Sequence, residues 1–324
     1  MEAWLFMAGE NPRTKAGGRS NAIRHWCIGY WFKMFLLRSL GVVFGLFLLA
    51  ACGPRSDQSS VGRILSNARA LADEENANIA NENKLSIYRD PDSPLTVYAS
   101  ANVEEARLGW RELNYAWRQI PSFLGTEEKA GPGHGLNLLI LKPMTAQLIA
   151  PEVGHQGTIG GSKGRLLVVV RPEGGTRKDF TDIFHETVHI CLREATAGNP
   201  LPLWLEEGLA LHWGVVLALD YHNFRGASLR GAGSPLTDAD RASLVAALAY
   251  GNYPDDPAAQ TAFYRASRWL AAAWLAQDEG PVVGRFGDLT KEPLKTMVPA
   301  DVEKLVEQAL ILSQQADAAT STTP

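Results

Sequence analysis

The residues of this 324-residue chain best suited to chemistry lie in one stretch, Asp179 to Gly214. It holds His185-Glu186-Thr187-Val188-His189 and, eighteen residues after the second histidine, the end of Trp204-Leu205-Glu206-Glu207-Gly208. Phe180, Ile183, Phe184, Val188, Cys191 and Leu192 recur at the spacing of an amphipathic helix, with Thr176 and Asp179 placed as a capping box at its start. On a helix, residues four apart sit one turn above each other. His185 and His189 can therefore bring two imidazole nitrogens to one metal ion, and zinc suits them at ~2.0–2.1 Å. Glu186 points to the side of that pair, where it can take the proton of an attacking water as a general base.

A catalytic zinc site wants three protein donors, so a third must come from elsewhere. Pro200 and Pro202 allow a new helix to begin just before Trp204, and a glutamate in its first turns could face the histidines. Glu207 and Glu206 both qualify, and one residue of register is a rotation of ~100°. Glu207 is preferred because the adjacent Gly208 lacks a side chain and would let the two helices pack closely beside the metal.

These residues resemble the gluzincin metallopeptidases. In that superfamily a helix carrying glutamate-glycine supplies the third ligand to an HExxH helix. The resemblance spans about residues 165–215. It implies zinc at His185, His189 and Glu207, Glu186 as base, and a zincin-like fold in which the strand before the metal helix edges the substrate cleft, here with Gly160, Gly161 and Val168 lining it. HExxH on its own arises by chance in many helices, where the histidines are an ordinary core or surface pair. The second motif is what turns the reading toward a metal.

The oxyanion formed in peptide hydrolysis needs a donor besides the metal. In the aminopeptidase N-like branch of the superfamily a tyrosine from the helical region after the third ligand serves. Tyr264 matches that pattern best, with Tyr250 and Tyr253 as rivals. His212 and His222 are weaker candidates for that donor, though His212 is close enough in sequence to the ligand helix to touch the groups around the ligands.

The rest of the chain must position and place this site. From Met34, an alternative initiator, the sequence runs through Arg38 into an apolar segment ending Leu49-Ala50-Ala51-Cys52. A short apolar run after a basic flank, closed by small residues, reads as a secretory signal rather than a membrane span. The last four residues resemble the bacterial lipobox, which implies lipidation at Cys52 and, with Gly53 in place of aspartate, an outer-membrane protein facing the periplasm. Six Lys/Arg and two Glu fall within residues 1–51, so the whole-chain net charge of −4 becomes −8 beyond them. That acidic balance argues against nucleic acid as a partner. Cys191, on the apolar side of its helix, reads as a core thiol.

The organisation expected is α+β: 1–51 upstream segment and signal, 52–83 tether and helix, 84–230 catalytic region, 231–314 helical C-terminal region, and 315–324 a disordered tail. Strands are predicted at Leu85–Tyr88, Thr96–Ala99, Leu136–Lys142 and Arg165–Arg171, with a long helix from Val103 to Ile120 and a glycine-rich loop from Gly154 to Gly164. Beyond the site, helices are expected from Thr237 to Tyr250, from Phe263 to Leu275 and from Pro299 to Leu312. The function expected is zinc-dependent hydrolysis of a peptide or protein substrate by a lipid-anchored envelope protein. The alternative is a non-catalytic lipoprotein that uses the same cleft to bind peptide or assist envelope assembly.

Overall fold

The computed structural model describes residues 58–72, 84–126, 135–151, 156–161, 164–171, 181–222, 235–277, 280–291 and 297–321. All belong to one compact unit, Ala50–Pro324. The signal segment, Cys52 and the Thr176/Asp179 box lie outside the described residues. Within the described residues no helix is long and apolar enough to cross a membrane.

The fold is mixed α and β, with a five-stranded sheet in the order β1-β2-β3-β5-β4. Its strands are β1 Ser86–Arg89, β2 Leu95–Ala99, β3 Leu136–Leu141, β4 Gln156–Gly161 and β5 Gly164–Val170. The β1–β2 and β4–β5 pairs are antiparallel, while β2, β3 and β5 run parallel. The β1–β2 hairpin turns through Asp90-Pro91-Asp92-Ser93-Pro94, where the Asp90 carboxylate accepts from the Asp92 N–H at 3.0 Å.

Side chains alternate across this sheet, and each face has its own cover. Leu138, Ile140, Leu167 and Val169 point into the larger core. That core is shared with α2 (Val103–Leu124), α4 (Asp182–Ala195), α5 (Leu203–Tyr221) and α7 (Pro257–Leu275). Leu139, Leu141, Leu166 and Val168 point the other way, onto α1 (Gln58–Ala72) and the short α3 (Pro143–Ile149). The segment expected to be tether and helix is thus a structural layer: Val61, Ile64, Leu65, Ala68 and Leu71 seal the far face of the sheet.

The long helix α2 begins as its sequence requires, with the Asn102 side chain accepting from the Glu105 N–H at 2.9 Å. Three ties fasten the elements around the site. Arg171, just past β5, pairs with Asp182 in the first turn of α4 at 3.2 Å and with Glu105 of α2 at 3.6 Å. The Tyr115 hydroxyl of α2 hydrogen-bonds Asp220 near the end of α5. Phe184 of α4 is fully buried against the rings of Tyr115 and Tyr221.

The C-terminal part is helical. Thr237 and Asp240 form a capping box, followed by α6 (Arg241–Ala249), α7, α8 (Phe286–Lys291) and α9 (Pro299–Ser321). Two expectations are corrected here. The stretch predicted as a glycine-rich loop contains the edge strand β4, because a strand paired on one side only tolerates glycines that weaken an interior one. The tail predicted to be disordered from Gln315 is helical as far as Ser321: its alanines are strong helix formers, and Ala316 still packs on the core.

Candidate metal centre

The metal-helix sequence forms α4, starting at Asp182, whose own carboxylate accepts from the Ile183 N–H at 2.7 Å. One turn apart on this helix, His185 and His189 bring their Nε2 atoms to 3.2 Å. The third corner comes from α5. Glu207 places Oε1 3.4 Å from His189 Nε2 and Oε2 3.6 Å from His185 Nε2.

These three side chains form a cluster suited to a metal ion. Donors bound tetrahedrally at ~2.0–2.1 Å stand ~3.3–3.4 Å apart, which is the scale of all three separations. The chemistry of the set fits as well, since two imidazoles and a carboxylate form a borderline-soft donor triad with room for a fourth ligand.

Both histidine rings are also held from behind. His189 Nδ1 stands 3.1 Å from Glu206 Oε1, and Arg193 lies 3.6 Å from that same oxygen. The His185 ring is hydrogen-bonded by the Ala210 backbone of α5. Partners of this kind set the tautomer and aim the other nitrogen at a metal. The register between the two glutamates is thereby resolved in space. Glu207 faces the two Nε2 atoms and Glu206 takes the outer nitrogen of His189.

Electrostatics follow from this crowding. Burial works against charge on His189, but the carboxylates of Glu207 and Glu206 outweigh it and hold the imidazolium well above the usual histidine range. Burial, joined by the charge of His189, pulls His185 down. Burial would raise Glu207, yet the attraction of His189 and its hydrogen bond bring the carboxyl down to about 2. A buried carboxylate facing the His189 imidazolium is thus ionised, the form in which it can act as a ligand. Glu186 is buried next to His185 and outside the three-cornered cluster, the position its helical offset requires.

The glycine expected beside the metal helix acts on a different neighbour. A Cβ on Gly208 would meet the Ser267 carbonyl oxygen at 2.1 Å and the Ala271 Cβ at 2.7 Å, so Gly208 brings α5 against α7. Contact with α4 is made by Gly214, whose added Cβ would lie 3.1 Å from the His185 backbone nitrogen. Gly214 stands seven residues from Glu207, two helical turns along the same face, too far along the chain for local spacing to mark it.

Of the described tyrosines, Tyr253 places its hydroxyl at the cluster, donating to Glu207 Oε1. Tyr264 stands behind it, with its ring centroid 6.0 Å from that of Tyr253 and 5.7 Å from that of Phe263. Tyr250 packs edge-on against Phe263. His222 belongs to another cluster, 3.5 Å from the buried Glu112.

The substrate-edge expectation also shifts. β5 is an interior strand with both edges paired, and the Val168 side chain is buried on the sheet face away from α4. It therefore has neither a free backbone edge nor a side chain to offer a substrate. The outer strand is β4, which carries Gly160 and Gly161 and packs near α4. No protein-family model matches the chain, and no curated protein matches it.

Proposed function

We propose that the chain is a zinc-dependent peptidase of gluzincin type, anchored in the bacterial envelope through lipid on Cys52. The observation that carries this reading is the convergence of His185, His189 and Glu207, with a second carboxylate, Glu186, held alongside. Zinc held there would supply Lewis acidity, polarising the scissile carbonyl.

The chain's own residues account for the rest. Glu186 takes a proton from the water that adds to the carbonyl carbon, then returns it to the amine nitrogen as the C–N bond breaks. Glu206 and the Ala210 backbone keep the two histidine rings in place. Tyr253, whose hydroxyl already lies at the ligand carboxylate, takes over from Tyr264 the role of donor to the oxygen that gains charge. β4 offers the outer edge along which an extended substrate can pair.

The test is cleavage of a peptide library by the full chain in detergent, compared with Glu186→Gln at equal zinc content. The variant should lose activity by roughly 10²-fold or more, and Tyr253→Phe should lower kcat further than Tyr264→Phe. Full activity in Glu186→Gln would rule out this mechanism. The anchor is tested separately: Cys52→Ala should leave an unprocessed precursor without acyl label, and normal acylation of that variant would refute it.

A further inference from the structure

Arg268 on α7 is 5 % exposed, and among the described residues its Nε meets no hydrogen-bond partner. Other partly buried arginines of the fold have an oxygen to hold. Arg171 has Asp182 and Glu105, Arg265 has Asp240 and the Pro235 carbonyl, and Arg285 has the Trp274 carbonyl. Among the described residues, Arg268 has the Trp269 ring, 5.3 Å from its guanidinium carbon, and burial brings it down to about 10.

The neighbour it influences is basic as well. Burial and the charge of Arg268 bring His212 of α5 down to about 4. Among the described residues, neither Arg268 nor His212 has a carboxylate partner. Two basic side chains brought together without an acid leave the guanidinium fork with its donors unspent, and a carboxylate is what that planar fork pairs with best.

The pair is tied to the metal centre by both helices that carry it. His212 lies five residues after Glu207 on α5, an axial rise of ~7.5 Å. Arg268 follows Tyr264 by one turn on α7, and Gly208 is where the two helices touch. An extended peptide advances ~3.3 Å per residue, so an axial step of that size matches about two residues of substrate.

Resting on the peptidase reading, we propose that Arg268, with His212 beside it, is a subsite for a carboxylate of the substrate about two residues from the bond cleaved. That carboxylate is either the peptide's own C-terminus or an acidic side chain at that position.

The experiment measures binding, not turnover. Full-chain Glu186→Gln in detergent, and the same protein with Arg268→Gln or Arg268→Lys, are titrated calorimetrically with four short peptides. Two differ only in a free or amidated C-terminus, and two amidated peptides differ only in an internal Glu or Gln. The proposal expects at least tenfold tighter binding of one acidic member over its neutral partner. The pair that shows the preference identifies the source of the carboxylate. The preference should vanish in Arg268→Gln and persist in part in Arg268→Lys. Equal affinities within both pairs, or a preference unchanged by Arg268→Gln, would overturn it; if Arg268→Gln fails to fold, the comparison within each pair and the Lys variant decide. Because no hydrolysis is read, an acid preference in a chain that cleaves nothing would refute the peptidase reading while leaving the subsite in place.

Discussion

Glu206 Oε1 stands 3.1 Å from Nδ1 of His189, on the side of the ring away from the Nε2 that faces Glu207. Adjacent glutamates on one helix thus act on opposite nitrogens of one histidine. One can bind a metal, and the other fixes the ring that binds it.

The two should fail differently. Glu206→Ala leaves all three donors and should weaken zinc affinity by roughly 10–100-fold, the usual cost of losing a partner behind a ligand. Glu207→Ala deletes a donor and should cost more than that. Competition titrations against a chelator of known affinity measure both. A larger loss in Glu206→Ala would reverse the assignment.

Much of this arrangement could be read from residue spacing, and some of it could not. The i, i+4 relation of His185 and His189 is a property of any helix, so their convergence followed once the apolar periodicity identified one. Choosing between Glu206 and Glu207 needed the rotation of α5 about its axis, which is set by packing against both α4 and α7. Gly208 shows the difficulty, since its missing side chain makes room for α7 while Gly214 makes room for α4. Likewise, the apolar runs of β3 and β5 marked buried strands, but only pairing reveals which strand is outermost. The glycines of β4 concealed it as a loop. Tyr253 lies 46 residues from Glu207, and a contact at that separation leaves no local pattern.

Gly208→Ala should destabilise the fold more than Gly214→Ala. The first drives a methyl into backbone, at 2.1 Å from a carbonyl oxygen, and overpacking of that kind costs roughly 1–3 kcal/mol or more. The second meets its nearest atom at 3.1 Å, on the backbone of His185, and should show mainly as weaker zinc binding. Urea denaturation of the metal-free variants separates them, and equal midpoints would contradict the packing assigned to α5 and α7.

His212 predicts a pH dependence. Its folded-state value of about 4 lies below the ordinary 6.5, so the unfolded chain binds the proton more readily. Stability from this group is therefore intact above about pH 6.5, falls as pH drops from there toward 4, and is fully lost below 4. The loss amounts to roughly 1–3 kcal/mol. Denaturation midpoints of wild type and His212→Gln between pH 7 and 4 test this. The variant should lose less stability on acidification, and parallel curves would show that His212 titrates normally.

The central claim is that His185, His189 and Glu207 together hold one zinc ion while Glu186 does not bind it. Zinc content per chain, measured by atomic emission after dialysis of the full-length protein in detergent, addresses it directly. Wild type and Glu186→Gln should each retain about one zinc, the occupancy of a three-donor site, whereas His185→Ala, His189→Ala and Glu207→Ala should each retain far less. Undiminished zinc in the three ligand variants, or its loss in Glu186→Gln alone, would contradict the account.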